Sequence, residues 1–203
     1  MSPLIALGNE GINVLINIVL FSIIPFLGYV LGKRRVKGFI RYLGIYVPNE
    51  MDVAGSIKII LPVYLITLAA NLVVIATGNS QRSTGGVEQN VWWVVSIGLL
   101  LYGLKTGIAE EIFFRGFVVK RSYPLFGLSK GILVQAVIFA LPHVVINGPA
   151  SPVDIAVRVI NAFVLGCAFG YVVEKKSCGS ILPVMAAHTM INIANSSILI
   201  AIL

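Results

Sequence analysis

The chain has 203 residues, 58% of them hydrophobic and 11% charged, and its mean hydropathy is +0.96. Soluble domains carry roughly 45–50% apolar and 25% charged residues, so this composition excludes a water-soluble globule and points to a multi-pass membrane protein. The net charge of +7 lies in clusters after alternate apolar runs, a pattern that orients helices in a bilayer and argues against a nucleic-acid partner.

The length admits about six spans of about 20 residues joined by short loops. We read one all-α membrane bundle over 1–203, with two leading helices in 12–90 and a core in 91–203. Residues 12–31 form the first predicted span, with Pro25 as a kink. Lys33, Arg34, Arg35, Lys37 and Arg41 follow it, which sets that end in the cytoplasm and the N-terminus outside. No basic segment precedes the span, so a cleaved signal is not expected. Residues 39–55 mix Tyr42 and Tyr46 with Pro48, Glu50 and Asp52 and read as an interfacial segment. The second span, 57–76, runs outward to a polar loop at 78–90.

Trp92 and Trp93 then anchor a third helix, 91–119, at the outer interface. Gly98, Gly103 and Gly107 let it bend or pack closely on a neighbour. The fourth span, 131–145, carries Pro142 and His143, and 147–154 is an outside turn. The fifth and sixth spans are 155–173 and 181–203, with Pro183 in the first turn of the last. Lys120, Arg121, Lys130, Lys175 and Lys176 fall at predicted cytoplasmic ends. Cys167 and Cys178 predict no disulfide and show no metal-ligand spacing.

Glu110, Glu111 and Arg115 interrupt the apolar run of the third helix. Each charge costs roughly 2.5–3.5 kcal/mol at mid-membrane, so such residues face a polar interior or one another. Both histidines of the chain, His143 and His188, also fall inside predicted spans. At 1.5 Å per residue, Glu110 lies about 15 Å above Lys120, His143 about 20 Å above Lys130, and His188 about 10 Å above residue 181. Asn192 comes out at about 17 Å, so the set shares one level and can converge.

Glu111 and Arg115 are four apart with the acid first, the favourable order for an ion pair, which leaves Glu110 as the free carboxylate. His188 and Asn192 share a face of the last helix. A carboxylate, two imidazoles and a carboxamide suit water activation and oxyanion stabilisation. Asn17, Asn71, Asn161 and Asn195 read as polar contacts between helices, and Lys105 and Arg158 have no evident partner. Phe113, Phe114 and Phe117 read as packing, while Phe139, one turn before His143, belongs nearer the site.

Glu110-Glu111-x-x-x-Arg115, Phe139-x-x-x-His143 and His188-x-x-x-Asn192, in this order on membrane helices, resemble the CAAX-protease and bacteriocin-processing (Abi) family of intramembrane endopeptidases. Arg115-Gly116-Phe117 and Gly179-Ser180-Ile181-Leu182-Pro183 look like the same family. The resemblance implies that Glu110 with His143 activates a water, that His188 and Asn192 stabilise the oxyanion, and that Glu111 with Arg115 holds the acidic helix in place. It implies a membrane-associated or lipid-tethered peptide substrate, in a setting such as the plasma membrane of a prokaryote. No metal is favoured, although zinc on His143, His188 and Glu110 or Glu111 is the chemical alternative. Two other classes compete: a proton- or ion-coupled transporter using the same residues as a relay, and a non-catalytic immunity or scaffold protein.

Overall fold

A computed structural model describes residues 2–79, 91–145 and 150–202, all of whose regular elements are helical. Most of the predicted loop at 78–90 and part of the turn at 147–154 lie outside the described residues. Helix α1 covers Pro3–Lys33, opened by Ser2, whose hydroxyl accepts from the Ile5 N–H, and closed by Arg34 in a left-handed conformation. It begins nine residues before the predicted span, because the Ser-Pro start signal outweighs the polar Asn9 and Glu10. Its 31 residues extend about 46 Å, longer than the roughly 30 Å apolar layer.

A five-residue helix α2, Phe39–Leu43, follows, and then α3, Val53–Ala76, capped by Asp52. Helix α4, Trp92–Phe113, passes without a break into a π-helical segment, Phe114–Val119, and into α5, Lys120–Ala140. A 3₁₀ turn, Leu141–Val144, ends this run. Helices α6, Pro152–Lys175, and α7, Leu182–Ile202, complete the chain.

Five stretches are long and apolar enough to cross a membrane, and the longest, Trp92–Val144, has 53 residues. That run crosses twice. At Gly127 the backbone leaves helical geometry, with φ 77° and ψ 171°. Beyond it Gly131 abuts the backbone of Ser122 and Tyr123, and the Phe139 ring meets Phe114 at 4.9 Å. The chain therefore doubles back on itself, giving six crossings. The sequence placed a loop between 119 and 131; helical structure instead continues almost to the reversal.

Pairings between helices fix their directions. Helices α1 and α4 run parallel, as Lys105 with Glu10, Phe113 with Phe21 and Phe117 with Gly28 advance together. Helices α3 and α6 run antiparallel, tied by Asp52–Lys176, Asn161–Thr67 and Ser151–Asn79. Helix α4 opposes α7, and the returning half of α5 opposes α6. These directions place the basic clusters at 33–41, 120–130 and 175–176 at one end, the cytoplasmic one by the positive-inside rule. Apolar side chains such as Leu15, Leu31 and Leu65 are exposed on the outside of the bundle, where lipid replaces water.

The segment read as interfacial is more anchored than the sequence suggests. It straps the turn between α6 and α7: Ile181 N–H donates to Gly44 O, Tyr46 Oη to Cys178 O, and Ser180 Oγ to Tyr46 O. Leu43 enters the main apolar core beside Ile112, Phe169, Val172 and Ile181. Cys167 and Cys178 are free thiols.

Candidate active site

Close packing of α4 on α7 makes the site possible. A side chain at Gly107 would meet the Thr189 backbone N at 2.8 Å, and one at Gly103 would meet Thr189 O at 2.9 Å. Small residues four apart let two helix backbones approach. One turn further along α4 stand Glu110 and Glu111, opposite His188 of α7.

Glu111 is wholly buried, and its Oε1 accepts from Arg115 Nη1 at 2.7 Å and from His188 Nδ1 at 2.8 Å. An oxygen that serves the Arg115 guanidinium is an acceptor, so the Nδ1 of His188 carries the hydrogen. In the neutral ring the other nitrogen, Nε2, presents a lone pair toward Glu110, whose Oε2 lies 3.9 Å away. Glu110 is the more accessible acid, its side chain 18% exposed against 0% for Glu111.

Arg115 is buried in the first turn of the π segment, its guanidinium 4.3 Å from the Phe139 ring centre and 5.2 Å from that of Phe169. Its Nε and Nη2 make no hydrogen bond, and the two ring faces are what they meet instead. Phe139 and Phe169 are held by a second close approach, where Gly166 meets Ala136 and Phe139, and Gly170 meets Gln135.

The returning helix brings His143 in on the 3₁₀ turn. Its Nδ1 lies 3.0 Å from Phe139 O, and its ring centre 5.2 Å from that of Phe139. The same phenyl ring lies 6.2 Å from His188. Phe139 thus packs against both imidazoles. Among the described residues, no hydrogen bond or ion pair joins His143 to either glutamate; His188 is the imidazole beside Glu110. Asn192, one turn beyond His188, donates from Nδ2 to Thr106 Oγ1 at 2.6 Å.

Other charges within the helices find partners elsewhere. Lys105 pairs with Glu10 at 2.5 Å, and Arg158 with Asp154 through Nε at 3.0 Å. Asn161 bonds Asn71 and Thr67 across the α3–α6 interface, as the sequence reading expects. Asn17 bonds the carbonyl of Asn13 in its own helix, so it is not a contact between helices. Sequence reasoning missed Thr106 and Phe169, which carry no motif of their own. The Gly166-x-x-x-Gly170 spacing was the legible signal for the α5–α6 contact.

Catalytic zinc sites use three protein ligands. Among the described residues no group of three or more His, Cys, Asp or Glu side chains is placed to hold a metal ion. Of the atoms the zinc alternative would use, His188 Nδ1 and Glu111 Oε1 bond each other, which leaves His188 Nε2 and Glu110 facing one another.

Residues 90–194 match the family described as Type II CAAX prenyl endopeptidase Rce1-like. The chain belongs to this family. The match covers α4 through most of α7, the part of the chain that holds every residue of the cluster above. No curated protein and no solved structure matches the chain. Membership in the Rce1-like family, with the apolar helices, makes this a multi-pass membrane protease with a membrane-associated substrate.

Proposed function

We propose that the protein is an intramembrane endopeptidase that cleaves a peptide bond in a prenylated or otherwise lipid-tethered protein or peptide, with a water activated by Glu110 and an imidazole. The observation that carries this reading is the 3.9 Å between Glu110 Oε2 and His188 Nε2, with the opposite ring nitrogen tied to Glu111. Two acceptors at that spacing are too far apart to bond directly and close enough to share one water. A water donating both hydrogens to them turns its lone pairs outward, toward a substrate carbonyl.

Attack forms the C–O bond as the water's proton passes to Glu110, and the carbonyl electrons move to oxygen. The second N–H of Asn192 Nδ2 stabilises that oxyanion. Collapse breaks the C–N bond, and the proton held by Glu110 passes to the departing amine. His143, whose ring packs against Phe139, is the second imidazole of the set. Glu111 and Arg115 orient His188 and fix its tautomer. Each step runs through the chain's own side chains. The setting is a bilayer, which we take to be the plasma membrane of a prokaryote, with the basic end cytoplasmic.

The experiment is turnover of a fluorogenic prenylated peptide ending in a CAAX sequence by purified wild type and Glu110→Ala. A general acid–base contributes about 10²–10⁴-fold, so Glu110→Ala is expected to lose at least that much. Turnover at the wild-type rate would remove Glu110 from the chemistry. Proton-coupled flux without hydrolysis would replace the protease reading with a transporter.

A further inference from the structure

We infer that Thr106 is a positioning residue for the peptidase reaction: its hydroxyl dictates which end of the Asn192 amide faces the pocket. This rests on the reading of the site given above, in which Asn192 supplies an oxyanion donor. An asparagine amide is nearly symmetric in shape, so packing alone leaves its oxygen and nitrogen interchangeable. Only the polarity of a neighbour can choose between them.

Thr106 makes that choice through its own hydrogen. Its Oγ1–H donates back to the carbonyl of Tyr102 at 3.2 Å, one turn earlier in α4. The hydrogen being spent, only lone pairs remain for the neighbouring helix. Asn192 answers with Nδ2, at 2.6 Å, and its carbonyl oxygen is turned away. An inverted amide would set oxygen against oxygen. One of the two Nδ2 hydrogens is taken by Thr106, which leaves the other for a substrate oxygen.

The register of the helices places this contact on the reacting groups' own ladder. Thr106 is one turn before Glu110 on α4, and Asn192 is one turn after His188 on α7. The helices run antiparallel, so the Thr106–Asn192 pair is the next rung after Glu110–His188. Between the rungs, the Gly107–Thr189 contact holds the backbones at a fixed separation. Thr106 touches no reacting atom; it acts only through Asn192.

The test is steady-state kinetics with the same prenylated CAAX peptide for Thr106→Val, Thr106→Ser and Asn192→Ala, singly and with Thr106→Val combined with Asn192→Ala. Val has the size of Thr without its hydroxyl, and Ser keeps the hydroxyl. Thr106→Val is expected to lower kcat about 10- to 100-fold with KM within about twofold, somewhat less than the loss of an oxyanion donor itself. Thr106→Ser is expected to restore most of it, and Thr106→Val to cost nothing further once Asn192 is alanine. Should Thr106→Val not fold, Thr106→Ala serves in its place. Unchanged kcat in the hydroxyl-less variant overturns the inference, as does a loss that persists undiminished in the Asn192→Ala background. Glu110→Ala, assayed alongside, separates the two levels: if it too is fully active, the site reading itself fails, whereas an inactive Glu110→Ala with an unaffected Thr106→Val removes only the role of Thr106.

Discussion

His188 gives its Nδ1 hydrogen to Glu111, the buried acid, and turns its Nε2 toward Glu110, the accessible one. Two adjacent glutamates therefore do different work. Their substitutions should separate in kind as well as in degree. Glu110→Gln is expected to abolish turnover and leave the melting temperature in detergent within a degree or two. Glu111→Ala strands Arg115, whose side chain is 0% exposed, and losing one partner of a buried pair costs about 3–5 kcal/mol. Thermal unfolding followed by intrinsic fluorescence, beside the peptide assay, distinguishes the two. Equal destabilisation by both substitutions would refute the division.

The α4–α7 contact gives a second expectation. Gly107→Ala places a methyl group against the Thr189 backbone, which cannot rotate away as a side chain would. Overpacking of this kind costs about 1–3 kcal/mol, and here the helices must part to relieve it. Parting them lengthens both rungs, His188 to Glu110 and Asn192 to Thr106. Activity should fall more than stability does. Thr189→Ala in the Gly107→Ala background is expected to restore little, because the backbone nitrogen stays in place. Full rescue would show that only the Thr189 hydroxyl was in the way.

The pair Asp52–Lys176 lies outside the spans and bridges α3 to the end of α6. The Lys176 ammonium, donating at 2.7 Å, holds the Asp52 carboxyl below its ordinary range, aided by the Gly55 N–H. The same bond raises the Lys176 ammonium. A lowered carboxyl contributes stability that is present above its unfolded value, about 3.9, and is lost as pH falls through the folded one. A raised ammonium contributes stability that is present below about 10.4 and is lost as pH rises through its folded value. Asp52→Asn keeps the helix cap and removes the charge. It should flatten the acid side of a melting-temperature profile and hardly move its value near pH 2. An unchanged acid slope would show that the bond does not persist in solution. Both groups are solvated, so the effect is small.

Much of the site was readable because charge is costly in lipid: Glu110, Glu111, Arg115, His143 and His188 stood out for that reason alone. The Glu111–Arg115 pair followed from helical spacing, although the residues from 114 to 119 are π-helical, a geometry that no residue type announces. Lys105 and Arg158 looked partnerless for different reasons. Arg158 pairs with Asp154, which the sequence reading assigned to a turn outside the helix. Lys105 pairs with Glu10, 95 positions away, and only the parallel docking of α1 on α4 reveals it. The near imidazole of Glu110 was likewise a matter of docking: spacing set His143 and His188 at similar depths, and packing chose His188.

Gly127 supplies the last test, and it concerns the fold alone. Its φ of 77° with ψ of 171° lies in a region open essentially to glycine, yet a side chain there would meet nothing within 4 Å. Any penalty for Gly127→Ala is therefore backbone strain and not a clash, about 1–3 kcal/mol. Gly11, inside α1, is equally open but helical, so Gly11→Ala should be neutral or stabilising, by up to about 1 kcal/mol. Denaturant titrations of both variants in the same detergent compare them directly. If Gly127→Ala proves as harmless as Gly11→Ala, the chain does not reverse at that residue. The return of the second α5 segment, and with it the approach of Phe139 and His143 to Arg115 and His188, would then need another origin.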